Sequence, residues 1–326
     1  MSFLNVSQSV TGRKWVGPAP DVARGADAMV QQTGLPGAVC QILARMGVAP
    51  EEAAAYLAPT LRDLMPDPRS LRDMERAAVR VLTAVTRRER IAIFADYDVD
   101  GGSSAALLLT WLRALGRQAT LYVPDRIDEG YGPNDAAMAD LAARHDLIIC
   151  VDCGTLSHGP IAAAKGADVV VLDHHLGGET LPEAHSVVNP NRQDEDGALA
   201  HLCAAAVVFL LLVEAGRQMR EAGSKGPDLM ALLDLVGLAT VADVAPLTGV
   251  NRAFVRQGLT GWHGAIGWAL SLLLMWRAWT RLLRHITSAT CWGRALTQAG
   301  ASDRLTLAHD CSAPKIRTRQ PPWPND

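Results

Sequence analysis

The feature that most constrains the fold is a series of short apolar runs, each ending in a polar tip and followed by a helical stretch. IAIFA (91–95) leads to SAALLLTWLRALG (104–116), and ATLYV (119–123) leads to NDAAMADLAARH (134–145). LIICV (147–151) leads to PIAAAKGA (160–167), and VVVL (169–172) leads to a turn and SVVN (186–189). Strands whose hydrophobicity is continuous rather than alternating are buried on both faces. Their alternation with helices predicts an α/β fold, a parallel sheet flanked by helices. Upstream, residues 36–86 read as helical, in AVCQILARMG, PEEAAAYLAP and SLRDMERAAVRVLTAVTRRE. The last has Met74, Ala77, Ala78, Val81, Leu82 and Val85 at helical spacing, with Ser70 as its expected N-cap. Residues 1–35, with GPAPD and TGLPG, read as irregular, while 202–223 and 228–247 read as two long helices.

The polar tips carry the chemistry. IAIFA is followed by Asp96, Asp98 and Asp100, LIICV by Asp152, and VVVL by Asp173, His174 and His175. Asp243 lies inside the apolar segment LATVADVAPL. Open parallel sheets bind ligands beyond the carboxyl ends of their strands, so groups far apart in sequence meet there. A carboxylate in such surroundings must be paired or bind a metal. Taken singly, an Asp-x-Asp is an ordinary solvated turn and a His-His pair an ordinary surface or core feature. Acids at three strand ends in order are harder to explain that way. Carboxylates with imidazoles suit Mn²⁺ or Mg²⁺, the histidines tilting the choice towards Mn²⁺, whereas structural zinc favours thiolates. Two such ions about 4 Å apart activate water and clamp a phosphoryl group for in-line attack. Alternate residues of an extended stretch share a face. The carboxylates of Asp96, Asp98 and Asp100 are therefore expected to converge from a strand tip, with Gly101 and Gly102 letting the chain turn closely into the next helix.

Bulk properties exclude other classes. A formal net charge of −3 over 326 residues does not announce a nucleic-acid partner, so any basic surface must be local. MSFLNVSQSVTGRKWVG has no basic segment followed by an apolar one, and no secretory signal is expected. Six cysteines without regular spacing fit a reducing cytoplasm better than a disulfide framework. The longest apolar stretch, GAIGWALSLLLMW, is shorter than the roughly 20 residues that cross a bilayer, so no membrane partner is expected. Cys150 and Cys153 form one CxxC with no second, and packing explains them. His158, His185 and His201 read as incidental, and no G-x-G-x-x-G supports a dinucleotide site.

DYDVDGGSS, VDCG, LDHH and ATVADVAPL together resemble the four motifs of the DHH phosphoesterase superfamily. The Asp-Tyr-Asp-x-Asp-Gly opening is similar to that of its bacterial single-strand-specific 5′→3′ exonucleases, whereas other members usually open on histidine. The resemblance runs from about residue 12 to about residue 258 and includes GRKW, LAPTLRDLMPDPRSLRDMERAA, YVPDRIDEGYGPN and VNPNR. It implies that Asp98 and Asp100, with Asp96 beside them, are metal ligands, that Asp152 bridges two ions, and that Asp243 is a further ligand. In Asp173, His174 and His175 it implies a histidine on metal and a neighbour at the scissile phosphate, so these three and Asp152 are the implied catalytic residues. Arg126 resembles an arginine that contacts nucleic-acid phosphate. The implied reaction is hydrolysis at a 5′ end to nucleoside 5′-monophosphates with two Mn²⁺ or Mg²⁺ ions. Single-stranded DNA and other DNA-repair proteins are the implied partners, in repair and recombination. Two rival readings are a phosphodiesterase of short oligonucleotides or cyclic dinucleotides, and a metal-binding but inactive protein.

After about residue 258 the composition shifts. Six of the eight tryptophans lie beyond it, no glutamate follows Glu221, and three aspartates follow Asp243. The shift predicts an out-of-frame or otherwise aberrant extension in place of the DHH-associated and OB-fold domains that the resemblance implies. GRALTQAGASDRL (293–305) does not read like the glycine-rich motif expected there. The expected organisation is a mostly helical segment (1–86), a DHH α/β domain (87–247), and a connector and aberrant tail (248–326) in place of the DHH-associated and OB domains, with a C-terminal helical extension.

Overall fold

The computed structural model describes residues 3–263, and the expectation for the tail falls almost wholly outside them. Five helices precede the sheet: α1 (Pro20–Thr33), α2 (Gly37–Arg45), α3 (Ala53–Leu57), α4 (Leu61–Leu64) and α5 (Met74–Arg87). Helix α1 corrects the reading of residues 1–35 as irregular. Pro20 opens it, Asp21 sits in its first turn, and Gly34 closes it in the left-handed conformation (φ 68). The prolines and glycines that suggested a loop are therefore the punctuation of a helix. Its buried Ala26 and Met29 pack with Cys40 and Leu43 of α2 in a small separate core.

Helix α5 begins later than its periodicity suggests. Ser70 ends a short 3₁₀ turn, its hydroxyl on the Asp67 carbonyl, and Asp73 precedes the helix with φ 60. The Asp73 carboxylate does not cap the helix. It accepts instead from the Val187 N–H and the Arg192 guanidinium, both at 3.1 Å, and so ties the start of α5 to the sheet. Met74, Ala77, Ala78, Val81 and Ala84 are fully buried in the sheet's main core.

The sheet contains β1 (Ile91–Ala95), β2 (Ala119–Tyr122), β3 (Leu147–Val151), β4 (Asp168–Leu172) and β5 (Ser186–Val188). Its order is 2-1-3-4-5 and every pairing is parallel. Helices α6 (Val99–Ala114), α7 (Asp135–Arg144) and α8 (His158–Ala163) lie between the strands in sequence. Strand residues alternate between two apolar layers. Ile91, Ile93, Leu147, Ile149, Val170 and Leu172 join α5, α6 and the later helices. Ala92, Phe94, Ile148, Cys150, Val169 and Val171 join α7 and α8. This double burial is why the strands read as continuous apolar runs.

Two consequences of the topology place the site. Ala95 pairs with Val151, Val151 with Leu172, and Leu172 with Val188. Four strands therefore end level, and Asp96, Asp152, Asp173 and Asn189 are the next residues of each. The chain also reverses its direction of travel across the sheet between β1 and β3, the switch point where such sheets open a crevice.

Among the described residues three helices follow the sheet: α9 (Ala204–Glu221), α10 (Leu233–Ala242) and α11 (Gly249–His263). The single helix expected over 228–247 is a 3₁₀ turn followed by α10, which stops at Asp243, where Val244 takes a left-handed backbone (φ 58). The break lets α11 fold back on α10, so the expected C-terminal helical extension is present to residue 263. A Cβ at Gly258 would lie 2.7 Å from the Leu233 carbonyl oxygen, so the crossing requires glycine there. Cys40, Cys150, Cys153 and Cys203 are buried free thiols. Among the described residues no helix is long and apolar enough to cross a membrane.

Candidate metal centre

The level strand tips bring the acids together, but not in the way alternation suggested. Strand β1 ends at Ala95 and α6 begins at Val99, so Asp96, Asp98 and Asp100 never share one extended face. Asp96 follows the strand. Asp98 is the N-cap of α6, its Oδ1 accepting from the N–H groups of Asp100 (2.9 Å) and Gly101 (3.0 Å). Asp100 lies in the first helical turn and accepts from Ala204 (2.6 Å) and Ala205 (2.8 Å) at the start of α9. The positive ends of two helices thus support these carboxylates. The turn is tight enough to require Gly101, where a Cβ would lie 2.4 Å from the Asp96 carbonyl oxygen.

Asp152, after β3, is 2% exposed and holds a left-handed backbone (φ 61), a costly conformation for a non-glycine residue. The His174 Nε2 lies 3.2 Å from Asp152 Oδ1 and 3.7 Å from Asp100 Oδ2, and its Nδ1 lies 3.8 Å from Asp243 Oδ2. The His175 Nδ1 lies 3.9 Å from the same Asp152 oxygen. Three sets offer ligand atoms mutually within 4.8 Å: Asp152, His174 and His175; Asp100, His174 and Asp243; Asp96, Asp98 and Asp152. Every residue expected to hold metal is in at least one set. Asp152 and His174 are each in two, which links the three into one continuous cluster.

Asp173 plays a different part from its neighbours. Its Oδ2 accepts from the Thr155 N–H (3.0 Å). Its Oδ1 accepts from the N–H groups of His174 (2.8 Å) and His175 (3.2 Å) and faces His175 Nδ1 at 2.8 Å. Its oxygens are engaged in shaping the histidine turn, and it belongs to none of the three sets. Arg126 also stands outside them. It is exposed, with its guanidinium 5.3 Å from the ring centroid of Tyr97, the residue after Asp96. It forms no ion pair with Asp128 or Glu129; Glu129 instead accepts from the Tyr122 hydroxyl and the Asp125 N–H.

The electrostatics fit a cation. The Oδ1 atoms of Asp96 and Asp152 are buried with no hydrogen-bond partner. Burial pushes the Asp96 carboxyl up to about 6 and that of Asp100 to about 7. Burial, together with the charges of Asp100 and Asp98, carries Asp152 well above the usual carboxylate range. Burial also raises Asp243, and it lowers His174, favouring a neutral imidazole with a free lone pair. Burial acts upward on Asp173 too, but its bonds with His175 and Thr155 outweigh it and hold the carboxyl at about 2. The Asp173 hydrogen bond in turn raises His175. Crowded, dehydrated carboxylates whose charge no protein group neutralises are relieved by cations. An oxygen-rich set with imidazole and no thiolate suits Mn²⁺ or Mg²⁺.

Four positioning groups were not singled out from the sequence. Asn189, fully buried at the fourth strand tip, donates from Nδ2 to Thr155 Oγ1 and to the His175 carbonyl, both at 2.8 Å. Asn191 donates to the His174 carbonyl (2.5 Å), and the Tyr131 hydroxyl lies 3.1 Å from His175 Nε2. Thr155 is the fourth. The signal available was the VNPN stretch itself, two amide side chains at the end of an apolar run.

Residues 90–240 match the DHH family, N-terminal domain. The single-stranded-DNA-specific exonuclease RecJ of Dickeya dadantii is 39% identical over 236 residues, covering 69% of this chain and 40% of that protein. A crystal structure of exonuclease RecJ bound to manganese superposes with a TM-score of 0.52 at 34% identity, covering 58% of this chain and 48% of that one. RecJ from Thermus thermophilus in complex with Mn²⁺ gives 0.58 at 28% identity, covering 74% and 33%. The chain thus spans less than half the length of these relatives. With the level acidic strand tips, the paired histidines and these matches, residues 90–240 form a DHH-family N-terminal domain of the RecJ type.

Proposed function

We propose that this protein is a metal-dependent 5′→3′ exonuclease acting on single-stranded DNA and releasing nucleoside 5′-monophosphates, by a two-metal mechanism, in DNA repair and recombination. The observation that carries the reading is Asp152, a buried carboxylate with an unpartnered Oδ1, shared between two overlapping ligand sets at the switch point of the sheet. The residues that would hold the ions are Asp96, Asp98, Asp100, Asp152, His174, His175 and Asp243. When bound, two Mn²⁺ or Mg²⁺ ions supply an activated water and neutralise charge on the phosphoryl group.

The chain's own residues set the geometry. Asp98 and Asp100 are fixed by backbone N–H groups at two helix starts, so their free lone pairs are presented without reorganisation. Asp173, Asn189 and Asn191 hold the His174–His175 backbone from both sides. His175 is 46% exposed at its side chain, against 15% for His174. That difference supports His174 as the buried ligand and His175 as the group that reaches a scissile phosphate. Arg126, exposed beyond Tyr97, provides a bidentate donor for a backbone phosphate approaching along that rim, with the Tyr97 and Tyr131 rings beside it. A cytoplasmic location and association with other repair proteins belong to the same proposal.

The test is a Mn²⁺-dependent assay of the full chain on long 5′-phosphorylated single strands, duplexes, dinucleotides and cyclic dinucleotides. Release of mononucleotides from the 5′ end of the long single strand supports the reading. Preference for dinucleotides or cyclic dinucleotides replaces the substrate, and binding of Mn²⁺ without cleavage of any of them removes the enzymatic part.

A further inference from the structure

The opposite end of the sheet holds a second polar cleft, unrelated to the strand-tip acids. It is an open cleft of about 510 Å³ at the amino ends of β1 and β2, a full strand length from the metal centre. Arg88, Arg90, Arg117, Thr120, Arg144 and His145 line it. Two of these arginines are neutralised within the fold. Arg90 grips Asp146 with Nε (3.1 Å) and Nη2 (2.7 Å), and Arg144 pairs with Asp140. Arg88 and Arg117 form no ion pair among the described residues. The acidic residue that lines the cleft, Glu89, has its carboxylate 2.7 Å from Arg80.

Two observations set these arginines apart. Arg117 spends one donor on the Glu89 carbonyl (3.0 Å), while its Nε is buried without any hydrogen-bond partner. A guanidinium donor removed from water and left unpaired is unfavourable unless something else accepts from it. Arg88 caps α5 in the left-handed conformation (φ 58), a position helices usually give to glycine or asparagine. A long cationic side chain is thus held at a place where its backbone is disfavoured, on the rim of a concave surface.

We propose that this cleft binds the phosphate group of a small phosphorylated molecule, with Arg88 and Arg117 as its anion ligands. Guanidinium forks match phosphate oxygens in pairs, and two of them facing one cleft form a divalent anion site. The volume falls within the roughly 300–1,000 Å³ of small-molecule pockets and exceeds what an inorganic ion needs. Beside the arginines, the exposed Thr120 hydroxyl, held 2.9 Å from the buried His145 Nε2, supplies a polar group for the rest of a nucleotide-sized ligand. The strand-tip end, lined by carboxylates, repels phosphate when no metal is present, so the two ends can be told apart.

The experiment is calorimetric titration of the full chain in EDTA with adenosine 5′-monophosphate and, separately, with inorganic phosphate. The parent protein binds one equivalent of the nucleotide. Arg88→Gly, which suits the left-handed backbone and keeps the fold at least as stable, weakens binding about tenfold or more, as does Arg117→Gln. Asp152→Asn, at the far end of the sheet, leaves it unchanged. Tighter binding of the nucleotide than of phosphate assigns the cleft to a phosphorylated organic ligand, and equal binding assigns it to the phosphate group alone. Failure of both probes to bind, or binding that survives both arginine substitutions, overturns the proposal.

Discussion

Replacing Asp96 by asparagine should make the metal-free protein more stable, although it removes a side chain from the functional centre. Asp96 is 4% exposed, one of its oxygens has no partner, and burial lifts its carboxyl from the ordinary 3.8 to about 6. A folded-state value above the unfolded one means that the folded protein holds the proton more tightly. Below about pH 3 both states are protonated and no penalty exists; as the pH rises from there to about 6 the parent loses stability. At about 1.36 kcal/mol per pKa unit, the loss above pH 6 is about 3 kcal/mol. An amide carries no charge to bury, so Asp96→Asn escapes the loss. In EDTA at pH 8 the variant should therefore melt roughly 6–12 °C above the parent for a fold of this size, with the difference nearly gone near pH 3. Saturating Mn²⁺ should reverse the order, because only the parent gains the full binding free energy. The assay is urea and thermal denaturation at both pH values, with and without metal. A variant less stable than the parent in EDTA at pH 8, or a difference that does not change with pH, would refute the account of Asp96 as an uncompensated buried carboxylate.

Two further outcomes follow from close contacts at the site. Gly101→Ala puts a Cβ 2.4 Å from the Asp96 backbone, so it should displace Asp96 from Asp98 and Asp100, lower stability by about 2–4 kcal/mol, and weaken Mn²⁺ binding measured on the folded fraction. Asn189→Ala removes the donor to Thr155 and to the His175 carbonyl, leaving that carbonyl without this partner. A loss of about 1–3 kcal/mol in denaturant titrations is expected, with weaker Mn²⁺ binding, since the same side chain accepts from the Asn191 N–H (2.7 Å) and so also steadies the Asn191 contact with the His174 carbonyl.

Much of the fold was legible because parallel, doubly covered strands leave an unambiguous trace. LIICV and VVVL are apolar at every position for the same reason that Ile149 and Cys150 face different cores. The helix starts were less legible. Ser70 has the chemistry of an N-cap, but Asp73 takes the position before α5 because Arg192 and the β5 backbone hold its carboxylate there, a tertiary contact no local rule contains. Helix α1 was hidden by the prolines and glycines that bound it. At the site, residue identities were readable and their geometry was not. The alternation of Asp96, Asp98 and Asp100 looked like one face of a strand, whereas the chain turns into α6 between them, and Asp100 is held by the amides of Ala204 and Ala205 a hundred residues on. Asn189 was invisible for a related reason, since a buried amide is informative only once the register levels its strand tip with Asp96, Asp152 and Asp173.

The central claim is that Asp152 joins two cation positions into one centre. It is tested most directly by counting Mn²⁺ ions bound to the full chain, by calorimetry and electron paramagnetic resonance, in the parent, Asp152→Asn and Asp243→Asn. The account predicts two ions with a spin-coupled signal in the parent, loss of tight binding at both positions in Asp152→Asn, and weakening at one position in Asp243→Asn. Two ions bound as tightly to Asp152→Asn as to the parent, or a single uncoupled ion in the parent, would contradict it.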